Sequence, residues 1–165
     1  MEFIVKEATL YELEWIWDKN INANIGDDKW VKWGADIVTK FKMGVLGSKP
    51  FVALHDDEPI GECYMIISPE NDAISGRMEL ADGKTVANIN ALRVEKRFRG
   101  NGISSKLIKH IEQYAVKAGY KRLTIGVEPN ETRNIAIYLH WGYNEFVMYD
   151  IEEEDELVLY YAKEL

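Results

Sequence analysis

Apolar residues recur along this chain with two spacings, and glycines or acidic turns mark most of the changes between them. "FIVKEA" alternates as a short strand. Thr9 and Glu12 then form a T-x-x-E capping box, in which each side chain satisfies the other's free helix-start N–H. Leu10, Leu13, Ile16, Trp17 and Ile21 fall on one face of the helix that follows, with Trp15 off that face. Asp27 or Asp28 caps a second helix, carrying Trp30, Trp33, Ile37 and Phe41 at helical spacing up to Gly44 and Gly47.

"PFVALHD" and "PIGECYMIIS" read as strands joined by the acidic turn "DDEP". The polar stretch 69–84 reads as a loop with a small hairpin of its own, and "TVANINALRV" as a third central strand. Ile103, Leu107, Ile108, Ile111 and Ala115 line the next helix, which Gly119 ends as a C-cap. "RLTIGV" is a strand, "RNIAIYLHWG" a short helix, and "EFVMYDI" and "LVLYYAKEL" are closing strands around "EEEDE". The order βααβββαβαββ predicts a mixed α/β (α+β) sheet with helices on both faces. No repeat, low-complexity tract or linker divides the 165 residues, which fit one domain.

Charge narrows the function classes. With 28 acidic and 20 basic residues the net charge is −8, which disfavours general nucleic-acid binding and suits attraction of cationic small molecules. Cys63 is the single cysteine, so an intrachain disulfide and a multi-cysteine zinc site are excluded. His55, His110 and His140 have no metal-ligand spacing, and no metal is expected. No apolar run has transmembrane length, and "MEFIVKEATL" has acids where a signal peptide would be basic and then apolar. The expectation is a cytoplasmic protein without a membrane partner.

Against that acidic background, "RFRGNGISSKLI" concentrates Arg97, Arg99, Gly100 and Gly102 between a strand and a helix. Free N–H groups, a positive helix end and backbone that can approach a ligand make a pyrophosphate cradle there. The alternative is a glycine turn with solvated arginines. A Walker loop needs a lysine that is missing, and a dinucleotide fingerprint needs glycine where Ser105 stands.

Residues 88–146 resemble the acetyl-CoA-binding core of the GNAT family of N-acetyltransferases. The resemblance rests on Leu92 and Val94 ending a strand, R-x-x-G-x-G over Arg97–Gly102, the amphipathic helix, "RLTIGVEP", and Tyr138 ahead of "WGY". It implies a GNAT-like acyltransferase fold over residues 1–165, with acetyl-CoA as co-substrate. The pyrophosphate would sit on the loop Arg97–Ser104 (Arg97, Arg99, Gly100, Asn101, Gly102, Ile103, Ser104). The pantetheine arm would run beside Leu92, Arg93 and Val94 on a strand splayed by a bulge. The Val94 N–H would face the acetyl carbonyl, and Tyr138 would protonate the departing thiolate.

Tyr138 also lies at helical spacing from Ile135 and Trp141, which fits packing. The family's asparagine seven positions before the tyrosine is replaced by Glu131, which leaves Asn130 and Asn134 as the nearby candidates for a cofactor contact. For the general base the candidates are Glu62, inside an apolar strand, and Glu128, after "LTIGV". Glu62 has the alternative of an outward-facing strand residue, and Cys63 reads as a small buried hydrophobe.

The resemblance implies transfer of acetyl to a primary amine of a small molecule or peptide. Trp15, Trp30 and Trp33 beside acids, together with "EEEDE", would suit a cationic acceptor, or else be core rings and a solvated charge run. A second class of function is a catalytically silent CoA-binding sensor of the same fold. Monomer and homodimer are both compatible with this sequence.

Overall fold

The computed structural model describes residues 1–165. The elements follow the expected order. They are β1 (Ile4–Glu7), α1 (Leu10–Ala23), α2 (Asp28–Met43), β2 (Ser48–His55), β3 (Glu58–Ile66), β4 (Val86–Val94), α3 (Ile103–Lys117), β5 (Arg122–Val127), α4 (Thr132–His140), β6 (Glu145–Ile151) and β7 (Leu157–Glu164). The strands join one mixed sheet in the order β1-β2-β3-β4-β5-β7-β6. β4 and β5 are parallel, whereas β1/β2, β5/β7 and β6/β7 are antiparallel. No helix is long and apolar enough to cross a membrane.

Contacts divide the chain into two compact units, residues 1–64 with 91–111 and residues 65–90 with 112–165. In the first, the capping box forms as the sequence predicts. Thr9 Oγ1 accepts from the Glu12 N–H at 3.3 Å, and Glu12 Oε2 accepts from the Thr9 N–H at 2.7 Å. Asp27 caps α2 and Gly44 closes it in a left-handed conformation. Leu13, Ile16, Trp17 and Tyr64 form a buried cluster, with Trp30, Ile37, Phe41 and Ala91 against it. Trp33 departs from the expected apolar stripe and is 36% exposed.

In the second unit, Ile66, Ile74, Leu80, Ala81 and Tyr160 make the core cluster. The stretch 69–84 contains no hairpin. It is a chain of turns that sends Ile74, Leu80 and Ala81 inward, so side-chain burial and not strand pairing fixes its path.

The register of β4 positions the chemistry. Its parallel ladder with β5 runs from Val86↔Arg122 to Ile89↔Ile125. Two residues later Ala91 has φ 54, a left-handed step that costs a non-glycine residue about 1 kcal/mol. The irregularity expected in the strand ending at Val94 therefore lies at Ala91.

Candidate active site

The loop between β4 and α3 is built to expose backbone donors. Lys96–Phe98 form one 3-10 turn, and Gly100 and Gly102 then have φ 83 and 75, where a side chain would be strained. A Cβ at either glycine would meet nothing within 4 Å, so the space over the loop is open. The Lys106 N–H is bonded to the Gly102 carbonyl at 3.1 Å. The N–H groups of Ile103, Ser104 and Ser105 belong to the first turn of α3 and have no carbonyl a turn earlier to bond. Ile103 is buried and anchors that turn, and Asn101 Nδ2 donates to the Phe98 carbonyl at 2.9 Å. Together the donors and the positive end of a 15-residue helix suit an anion such as a pyrophosphate.

The two arginines differ. Arg99 Nε donates to the Val94 carbonyl at 3.1 Å. Arg97 donates to Glu95 and, at 2.8 Å, to Glu58, both of which also receive Lys19. The Lys19 hydrogen bond, with the Arg97 charge adding to it, holds the Glu58 carboxyl below its ordinary range. Arg97 is thus an exposed arginine that is ion-paired to Glu95 and Glu58 in this structure.

Glu62 faces inward, so the outward-facing alternative is corrected: the residue is 1% exposed. Its Oε1 accepts from Arg93 Nη1 at 2.5 Å and from Asn20 Nδ2 at 2.8 Å, and its Oε2 accepts from the Tyr64 hydroxyl at 3.4 Å. Tyr64 Oη in turn accepts from Trp17 Nε1 at 2.9 Å. Burial, with the Glu62 charge adding to it, pushes the Tyr64 phenol well up, so it serves as a neutral donor. The Arg93 guanidinium lies over Trp30 at 4.9 Å and Trp17 at 5.5 Å. Three of the four lone-pair directions of Glu62 are already used by the chain's own donors. Leu92 and Val94 are half-buried, and any pantetheine contact there would use backbone groups. The Arg93 side chain is turned to Glu62.

The contacts of Trp17, Asn20 and Tyr64 with the Glu62–Arg93 pair are not among the sequence expectations. Glu62 and Arg93 are lone opposite charges in two apolar strands, a signal for the pair itself but not for its partners on α1 and β3.

In the second unit, Tyr138 is half-buried on α4 and its ring stacks on Trp141 at 5.8 Å. Asn134 Nδ2 donates to Glu131 Oε2 at 2.5 Å, so the residue at the departing position and one asparagine candidate are paired. Asn130 is exposed. Hydrogen bonding to Glu156, with the charges of Glu156 and Glu131 adding to it, pushes the Glu128 carboxyl up.

The tryptophan faces already carry this chain's own cations: Lys19 over Trp15 at 5.8 Å, Lys29 over Trp33 at 5.5 Å, and Arg93 over Trp17 and Trp30. Cys63 is fully buried, and burial pushes its thiol up, which matches the small-hydrophobe reading.

The chain folds like several solved acetyltransferases. A putative acetyltransferase, yncA, from Salmonella typhimurium with its cofactor acetyl-CoA has TM-score 0.73 at 12% identity, over 100% of this chain and 95% of that one. The ribosomal-protein-alanine N-acetyltransferase of Brucella melitensis has TM-score 0.69 at 15% identity, over 98% and 99% of the two chains. The PaiA N-acetyltransferase of Thermoplasma acidophilum, in complex with coenzyme A, has TM-score 0.63 at 15% identity over 100% of both. No curated protein matches the chain. The model of the acetyltransferase (GNAT) family matches residues 10–143, most of the length over which these elements run, and the protein belongs to that family.

Proposed function

We propose that the protein transfers the acetyl group of acetyl-CoA to a primary amine of a small molecule or peptide. The amine would attack the thioester carbonyl directly, within a ternary complex. One observation carries the reading: an open, glycine-shaped row of N–H donors at the start of α3 follows directly on the strand that breaks register at Ala91. The presence of acetyl-CoA or coenzyme A in solved neighbours of the same fold supports it.

When bound, acetyl-CoA supplies an activated thioester. The donors from Gly100 to Ser104 would hold its pyrophosphate, and backbone groups of Leu92–Val94 would hold the pantetheine arm. The Val94 N–H would stabilise charge developing on the carbonyl oxygen. Tyr138 would give its proton to the sulfur as the C–S bond breaks and the N–C bond forms; a phenol with an ordinary pKa of about 10 is protonated at neutral pH. The amine's proton would leave to Glu128 or to water, since Glu62 is engaged.

The engagement of Glu62, a candidate base, favours a second reading, a CoA-binding sensor without turnover. Thiol release from acetyl-CoA with a panel of amines separates the two, comparing wild type with Tyr138→Phe. Amine-dependent release that falls about 100-fold in Tyr138→Phe, with acetyl-CoA affinity retained, supports the enzyme. Tight binding with no amine-dependent release supports the sensor.

A further inference from the structure

β4 contains a conformation that its own sequence does not favour. Ala91 is in the left-handed region without being glycine, and the strand beyond it has left its ladder with β5. Its pairing with β3 continues to Val94, but a strained step persists only where its surroundings over-determine it, so something besides that ladder must hold residues 91–94.

The structure shows what does. Ala91 packs into the cluster of Leu13, Ile16, Trp17 and Tyr64. Two residues on, the Arg93 side chain contacts both indoles, Trp17 and Trp30, and is paired with buried Glu62 on β3. Asn20 of α1 fixes the same carboxylate oxygen, and Tyr64, itself fixed by Trp17, takes the other. Beyond Val94, the Glu95 N–H bonds to the Ile60 carbonyl at 2.9 Å. A Cβ on Gly61 would come within 3.2 Å of the Arg93 carbonyl, so β3 and β4 are drawn close at this point. Val94 sits between the clamped Arg93 and the bonded Glu95.

We infer that Arg93 and Glu62 are positioning residues, an ion pair clamped by Trp17, Trp30, Asn20 and Tyr64 that fixes the strained end of β4 and thereby the direction of the Val94 N–H. The pair acts through Val94 and does not move the substrate's proton. An arginine suits this task because its planar guanidinium can stack on a ring and hydrogen-bond a carboxylate at once. The assignment rests on the acetyl-transfer reading only for what Val94 does; the clamp itself is a property of the unliganded chain.

The test combines amide hydrogen exchange without ligand, calorimetry with acetyl-CoA, and thiol release with the amine panel. In Arg93→Met and Glu62→Ala, exchange at the Glu95 N–H is expected to rise at least about tenfold while Ile89 is unchanged. The same variants should lose about 10- to 100-fold in kcat, with the acetyl-CoA Kd within about threefold of wild type. Glu62→Gln, which still accepts from Arg93 and Asn20, should keep kcat within about threefold and keep the acid limb of the pH profile. The double variant Glu62→Met with Arg93→Met should recover part of what the singles lose, because no unpaired charge remains buried.

Wild-type exchange at Glu95 in Arg93→Met would overturn the clamp. So would a Glu62→Gln variant as inactive as Glu62→Ala with the acid limb gone, since Glu62 would then be the base. Absence of acetyl-CoA binding to wild type would overturn the functional reading alone, because the exchange result still decides the clamp.

Discussion

Arg99 Nε donates to the carbonyl oxygen of Val94 across 3.1 Å, tying the loop that would carry pyrophosphate to the end of β4. The bond turns an exposed side chain into a brace for the backbone on both sides of Lys96–Phe98. Arg99→Ala should weaken acetyl-CoA binding about five- to tenfold, the loss of one charge-assisted hydrogen bond and its ordering effect. Arg97→Ala should cost less than about threefold, because its charge is already shared with Glu95 and Glu58 at the surface. Calorimetry on the two variants decides this. Equal losses would mean that both arginines act only as charges near the ligand.

Gly126 yields a stability prediction of a different kind. A Cβ there would lie 2.8 Å from Tyr160 Cε1 and 2.9 Å from Val158 Cγ1, both on β7. β5 and β7 pair at this point, with Gly126 opposite Tyr160, so the ring fills the space of the missing side chain. Gly126→Ala should destabilise the fold by about 1–3 kcal/mol through overpacking. A denaturant midpoint unchanged from wild type would show that the Tyr160 ring swings aside freely.

Asp82 gives a pH dependence. Its Oδ1 accepts from the N–H groups of Lys84, Thr85 and Val86 at 2.9, 2.8 and 2.9 Å, and Oδ2 from the Thr85 hydroxyl at 2.7 Å. Desolvation pushes this carboxyl up, but the hydrogen bonds outweigh it and hold the group well below the usual carboxylate range. A depressed folded pKa stabilises the fold above the unfolded value of about 3.9, and that gain is lost as pH falls toward the folded value. Asp82→Asn should therefore be less stable than wild type by about 1–2 kcal/mol at pH 7, a figure discounted for its partial exposure. The gap should narrow steadily below about pH 4. Urea melts at pH 7 and pH 3 measure it, and a gap of constant size would mean that the fold does not favour ionised Asp82 over its protonated form.

What was legible in the sequence was local. The capping box of Thr9 and Glu12, the buried face Ile103–Leu107–Ile108–Ile111–Ala115 and the Gly100–Gly102 turn each depend on neighbours within a few residues. What was not legible depended on partners far apart in the chain. Arg93 and Glu62 are 31 residues apart, and only the register of β3 and β4 brings them together. The same distance effect hid the pairing of Arg97 with Glu58, 39 residues away. Trp33 illustrates the opposite error, since a helical stripe of tryptophans shows which side is apolar but not where the covering surface ends.

The stretch 69–84 contains another such distant partnership, and with it a final prediction. Arg77 Nη1 donates to Glu152 at 2.5 Å and to Asp150 at 3.1 Å, 75 and 73 residues away. Its Nε and Nη2 donate at 2.8 Å to the carbonyls of Ile74 and Ala73, and the guanidinium lies 5.4 Å from the Tyr160 ring. Tyr160 Oη donates to Glu152 as well. One side chain therefore closes the turns that bury Ile74 and joins them to β6 and the turn that follows it. Arg77→Met would leave two carbonyls and the Glu152 carboxylate short of their donors, at a cost of about 3 kcal/mol. Arg77→Lys should recover less than half of that, because a single ammonium cannot reach carbonyls and carboxylates in divergent directions at once. Denaturant melts of the two variants test the fork geometry: if lysine restores full stability, charge alone holds this stretch in place.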